Sequence, residues 1–217
     1  MLRRRFWLIL CALSAAPAFA DDARQYSIDA SGSDVHWLVY KAGSLARLGH
    51  NHVISVPDLA GTVTANPTDL SASRFDLQFK VGTLAVDDPK LRSGLGPDFA
   101  SVPSADDIAG TRKNMLSDRV LMGDKYQTIK VTGVGPAGPD GGQTLKITVE
   151  LLGRSVPLTV PTKVEMHGDE LTASGEFDLT HTSLGMMPFT VMLGALQVAD
   201  NMKFVYRIHA VAAPPSR

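Results

Sequence analysis

The chain has 217 residues, with 21 Lys and Arg against 22 Asp and Glu, and a single cysteine. Beyond Arg3-Arg4-Arg5 it carries no basic cluster and no Arg-rich aromatic stretch, so nucleic acid is not an expected partner. The lone Cys11 excludes an intrachain disulfide, a multi-thiolate metal site and Cys-x-x-Cys-His haem attachment.

Arg3 to Arg5 lead a short apolar run, Phe6 to Ala16, and Ala18-Phe19-Ala20 has the small-x-small spacing of a cleavage site. The run is roughly half the ~20 apolar residues that span a bilayer. Residues 1–20 are therefore expected to be a secretory signal peptide, cleaved after Ala20, and residues 21–217 a single domain exported to the periplasm. Cys11 would leave with the leader; Leu10 before it does not suit a lipid-anchored cysteine. Eighteen basic residues against 22 acidic ones would remain, a mildly acidic protein large enough for a core without disulfides. No later apolar run reaches transmembrane length.

From Tyr26 onward the chain reads mostly as strands. Tyr26 to Ala30 is a short extended lead. Asp34 to Tyr40 puts Val35, Trp37 and Val39 on one face and His36 and Leu38 on the other. His52 to Val56 and Gly61 to Ala65 follow, broken by Pro57-Asp58. In Arg74 to Val81, the residues Phe75, Leu77, Phe79 and Val81 alternate with polar ones, as do Leu145, Ile147, Val149 and Leu151 further on. Val156 to Val164 carries Pro157 and Pro161, which suits an edge or bulged strand. Leu171 to Thr180 and Met202 to Val211 complete the set. Clean alternation marks antiparallel strands with one face in a core, and strands at this density argue for a sandwich or closed barrel.

Two segments depart from that pattern. Ser104-Ala105-Asp106-Asp107 has an N-cap serine and early acidic residues, with Ile108, Met115 and Leu116 at helical spacing, which predicts one helix over about 104–118. Asp87 to Pro103 is long and irregular, either a functional lid or a plain surface excursion.

The histidines separate by register. In Gly49-His50-Asn51-His52-Val53-Ile54-Ser55-Val56, an extended chain points His50, His52, Ile54 and Val56 the same way. His181 continues Phe177 and Leu179 at spacing two. His50, His52 and His181 are therefore expected to face inward and to converge at one end of the β-structure. His36 and His209 are out of phase with their apolar neighbours and are expected to face solvent, and His167 falls in a turn. Three imidazoles can bind a divalent metal with an open position; the reading preferred over it is a ligand head group or caps on polar backbone. No Gly-x-Ser-x-Gly elbow and no paired-carboxylate motif is present, so an enzyme is not expected.

The order of these segments resembles the YceI-like domains, a family of exported lipocalin-like barrels. The similarity rests on Tyr26-Ser27-Ile28-Asp29, Ser33-Asp34-Val35-His36-Trp37, Leu48-Gly49-His50 and Gly61-Thr62-Val63. It continues through Lys146 to Leu158, Phe177-Asp178-Leu179 and Ser183-Leu184-Gly185-Met186. The resemblance implies a mainly β, antiparallel, lipocalin-like β-barrel with one short helix, whose apolar interior holds an isoprenoid-like lipid tail. The alternating faces then supply Trp37, Phe75, Leu77, Phe79, Ile147, Val149, Phe204, Tyr206 and Ile208 as candidate ligand-binding residues. The leading reading is a periplasmic carrier of a small amphipathic, lipid-like ligand. The alternatives are a metal- or redox-linked protein using His50, His52 and His181, and an envelope stress or interaction module with a filled core. The oligomeric state is left open.

Overall fold

The structure, a computed structural model, describes residues 23–137 and 143–212. The expected leader, with Cys11 and the cleavage site after Ala20, lies outside the described residues.

The elements run in chain order as β1 (Arg24–Ala42), β2 (His52–Ser55), β3 (Ala60–Asn66), β4 (Asp69–Lys80), β5 (Ala85–Val86), α1 (Pro89–Arg92) and α2 (Ala105–Leu116). There follow β6 (Thr128–Ala137), β7 (Gln143–Leu151), β8 (Arg154–His167), β9 (Glu170–Thr180), β10 (Thr190–Val191) and β11 (Leu196–Ala212). Every pairing among them is antiparallel, and eight strands close a ring in the order β1, β3, β4, β6, β7, β8, β9, β11, with β11 returning to β1. This is the expected barrel. The Pro57-Asp58 break divides one wall strand in two: β3 pairs with the first half of β1 and β2 with the second. β5 continues β4 past a 3-10 turn and pairs with β2.

The two strands expected at Tyr26–Ala30 and Asp34–Tyr40 are halves of β1. They are joined across an irregularity in which Asp29 to Asp34 spans the same stretch as His209 to Arg207. Ser33 Oγ donates to the Asp29 carbonyl at 2.7 Å and the Ser31 amide to Asp29 Oδ1 at 3.0 Å, so the extra residues satisfy their own polar groups. β8 pairs with β7 from Arg154 to Thr162, but with β9 only from Lys163 onward. Pro157 and Pro161 lie on the singly paired stretch, where a missing N–H is tolerated.

β6 was not anticipated. Its inward positions read Ile129, Val131, Gly133 and Gly135, and the two glycines end the apolar alternation halfway. They are required by close approach: a Cβ on Gly133 would lie 2.4 Å from the Phe75 ring, and one on Gly135 would lie 1.9 Å from the Leu70 carbonyl oxygen. At this end the barrel is shut by Tyr26, Ala65, Leu171 and Ala210, all buried.

α2 begins at the predicted N-cap serine, which the structure places in a capping box: the Asp107 amide donates to Ser104 Oγ at 3.1 Å and the Ser104 amide to Asp107 Oδ2 at 3.0 Å. Ile108, Met115 and Leu116 pack onto the main core. Arg112 ties the helix to the barrel through the carbonyls of Leu84 and Gly82. The Asp87–Pro103 segment lies against the outside of the wall, where Phe99 is buried with Leu38 and Val53 and flanked by Leu91 and Leu95. It contributes no residue to the lining of the cavity described next.

Candidate functional site

The other half of the barrel encloses an apolar cavity of about 540 Å³. Its wall carries a cross-strand aromatic row: Trp37 of β1 pairs with Phe204 of β11, which pairs with Phe177 of β9. Trp37 and Phe204 stack at 5.6 Å between centroids, and Phe177 and Phe204 at 5.4 Å, an offset-stacking range that adds to burial. Around this row the walls are aliphatic, with Val39, Ile54, Val131, Val149 and Leu179 among them. α2 closes one side with Thr111, Asn114 and Met115. The opening is bordered by Leu48 to His50, by the first turn of α2, and by the β10–β11 hairpin.

Of the expected ligand-binding residues, Trp37, Phe79, Ile147, Val149 and Phe204 line this cavity. Phe75, Leu77, Tyr206 and Ile208 do not. Phe75 lies over Gly133, and Leu77 is buried in the main core. The Tyr206 hydroxyl donates to the Pro161 carbonyl at 2.7 Å, and Ile208 packs into the core toward the shut end. The alternation found the inner face correctly but could not show that only its upper part stays open. It also missed Phe177, Leu179, Met202, the α2 residues and the β6 pair Ile129 and Val131. The first three lay on faces already read as inward; the last two lay on a strand hidden by its glycines.

The polar groups gather at one edge. His52 and His50 both line the cavity, with ring centroids 6.2 Å apart. His52 Nδ1 lies 2.6 Å from Asp87 Oδ2, and its Nε2 lies 3.3 Å from Thr111 Oγ1. Asp87 is buried and also accepts from the Val53 amide at 3.0 Å and from Arg92 Nη1 at 2.6 Å. Burial alone would raise its pKa, yet these donors and charges together hold it below the ordinary carboxylate value. Arg92 is itself buried and donates to the carbonyls of Asn51 and Ser101. The His52–Asp87–Arg92 chain thus clamps β2 and the outer segment together.

His181 is buried and borders the same cavity. β9 ends at Thr180, however, and His181 takes helical angles before a 3-10 turn, so the spacing-two argument stops one residue short. Its amide and its Nδ1 both lie within hydrogen-bond reach of the Asp200 carbonyl, at 2.9 and 3.0 Å. Among the described residues no three His, Cys, Asp or Glu side chains are placed to hold one metal ion. The metal expectation for His50, His52 and His181 therefore has no three-residue cluster behind it among the described residues.

His36 corrects a second expectation. It stands opposite the cavity-lining Val35 and Trp37 but is only 4% exposed, with Nδ1 2.8 Å from Asp34 Oδ1. The outer face of β1 is not bare here, as the burial of Leu38 beneath Phe99 also shows. His209 is half-buried, 3.1 Å from Asp29 Oδ2.

The family model for the YceI-like domain matches residues 26–210. The chain belongs to the YceI-like domain family. Solved structures agree in fold. BcnA of Burkholderia cenocepacia is 12% identical with a TM-score of 0.62, covering 85% of this chain and 99% of that one. A polyisoprenoid binding domain from Saccharophagus degradans, implicated in plant cell wall breakdown, is 12% identical with a TM-score of 0.57, covering 87% and 98%. The YceI protein of Campylobacter jejuni is 9% identical with a TM-score of 0.51, covering 74% and 84%. A search of curated protein sequences finds no match. Within this YceI-like domain no helix among the described residues is long and apolar enough to cross a membrane.

Proposed function

We propose that this YceI-like domain is a periplasmic binding protein that carries an amphipathic, isoprenoid-like lipid by its tail. The observation that carries the reading is the cavity of about 540 Å³ walled by aliphatic side chains around the Trp37–Phe204–Phe177 row. Protein interiors are otherwise close-packed, and this volume falls in the range of about 300–1,000 Å³ typical of small-molecule sites. A branched apolar chain laid along such walls gains about 25 cal/mol per Å² of buried area before association costs. The few polar groups in the lining, His50, Thr111 and Asn114 among them, suit a polar head held on one side while the tail goes in. The polyisoprenoid binding domain of Saccharophagus degradans supports the same class of guest by its shared fold. The Arg3–Ala20 leader pattern supports the periplasmic location.

Native mass spectrometry of the chain purified from its own periplasm tests the reading. The expected result is a mature mass beginning at Asp21, carrying an extra lipid mass that organic extraction removes. A bare polypeptide mass, or a bound metal in place of lipid, would overturn it.

A further inference from the structure

Eight large apolar side chains are well exposed among the described residues, and four of them are on the cavity-lining Leu48 stretch and the β10–β11 hairpin: Leu48, Val191, Met192 and Leu193. Exposed apolar residues scattered singly need no explanation, but a contiguous group marks a contact surface. These four are on one structure. The β10–β11 hairpin is tied to the turn before Leu48 by the Leu45 amide donating to the Ala195 carbonyl at 2.8 Å. Gly43 approaches Ala195 so closely that a Cβ would lie 2.5 Å from its carbonyl oxygen. The hairpin tip is also unusual. Met192 and Leu193 take φ of 51° and 54°, followed by Gly194 at 89°, a left-handed run that large side chains rarely adopt. Its consequence is to hold Leu193 fully out in solvent, with Met192 beside it.

The ridge is flanked by cations. Arg47 is exposed next to Leu48. Arg119 donates to the Thr190 carbonyl at 2.6 Å with its guanidinium 4.3 Å from the Phe189 ring, which holds a positive charge at the base of the hairpin. The acidic groups at the opening, Asp106 and Asp107, belong to α2 and not to this ridge, although Asp118 neighbours Arg119. Protruding apolar side chains with basic flanks suit an anionic bilayer surface, the apolar part entering the acyl boundary and the cations meeting the head groups.

We propose that the hairpin tip, with Leu48 and Arg47, is a membrane-docking edge that seats the cavity opening on an anionic lipid surface. Its purpose rests on the lipid-carrier reading, since a tail that passes between bilayer and barrel need never cross water. The docking itself can be measured without any cargo.

The test is co-sedimentation of the full-length protein with vesicles of phosphatidylethanolamine and phosphatidylglycerol, set beside phosphatidylcholine alone. Every sample carries the same N-terminus, so differences belong to the edge. Wild type should prefer the anionic vesicles. Met192→Asn with Leu193→Asn should weaken binding by about tenfold or more; Asn tolerates the left-handed angles, so folding is kept. Arg47→Gln should cost about fivefold on anionic vesicles and little on phosphatidylcholine. Val102→Ser, an exposed apolar site away from the opening, should change nothing. Binding unaffected by the double variant would overturn the proposal, as would a loss of self-association in its place, which would make the ridge a contact between two copies. Native mass spectra of the same samples separate the two readings. Cargo without vesicle binding overturns the docking edge alone; vesicle binding without cargo overturns the carrier alone.

Discussion

The two halves of the barrel are built on opposite principles. In the shut half the inner face carries glycines, Gly133 and Gly135 on β6, because the Phe75 ring and the Leu70 backbone press against them. In the open half the same strand carries Ile129 and Val131, facing Phe79 and Leu77 across the sheet. Small residues stand where the barrel is closed and large apolar ones where it is open. A cavity in this fold is therefore not made by shaving side chains down; it is made by holding the walls apart. What holds them apart is largely polar. The Pro57-Asp58 break, α2 with its Arg112 anchor, and the His52–Asp87–Arg92 clamp all lie in the open half. The shut half relies on contact, the open half on bracing.

If that contrast is right, the largest single loss should come from the brace. Asp87→Asn keeps the shape and suits the positive φ of 55° at this position, yet removes the charge beside buried Arg92. An unfolding free energy lower by about 3–5 kcal/mol is expected from urea denaturation. Because the Asp87 pKa is held down in the folded state, wild type has its full contribution above the ordinary carboxylate range and loses it as pH falls below that range. A loss under about 1 kcal/mol for Asp87→Asn would mean the clamp is not ionic in character.

Next comes contact in the shut half. Gly135→Ala puts a methyl where the Leu70 carbonyl already lies, and overpacking of about 1–3 kcal/mol is expected, at the upper end because backbone must move. The same measurement on Leu77→Trp and Val149→Trp sharpens the boundary between the halves. Both are in one cross-strand row with Val131, but only Val149 lines the cavity. Leu77→Trp should lose about 1–3 kcal/mol and leave lipid loading near wild type. Val149→Trp should lose much less stability and most of the loading, read by native mass spectrometry. Equal losses of stability for the two would show that the open half has no spare volume.

Much of this was legible from the chain, and the gaps have physical causes. Period-two alternation located the inner faces of β1, β4, β7, β9 and β11, because a one-residue slip would expose every apolar side chain at once. It failed at β6, where close approach had replaced the apolar residues with Gly133 and Gly135. The helix was readable because Ser104 and Asp107 form a local capping box that needs no tertiary partner. His36 was misplaced because alternation reports which side of a sheet a residue takes, not what covers that side. His52 was correctly sent inward, but its partner Asp87 lies 35 residues away, and nothing local links them. The dividing line between lined cavity and plain core was equally invisible, since Leu77 and Val149 read alike until their walls are in place.

The smallest expected effect lies at the shut end, where Asp29 marks the irregularity in β1. Its carboxylate accepts from the Ser31 hydroxyl at 2.6 Å and lies 3.1 Å from His209 Nδ1. The Ser31 bond first, then His209 and the Gly32 amide, lower its pKa from 3.8 to about 2. A group whose folded pKa is depressed contributes above its ordinary pKa and loses that contribution as pH falls through the folded value. The window is therefore between about pH 4 and pH 2. Asp29 is on the outside of the sheet, so its share of stability is expected to be minor and to fade with salt. A carbon-detected NMR titration of the Asp29 carboxyl should give a midpoint near 2, and Ser31→Ala should move it up toward the ordinary value. A midpoint near 4 in wild type would mean that the extra residues of β1 are not held by this carboxylate. The shut half would then rest on packing alone.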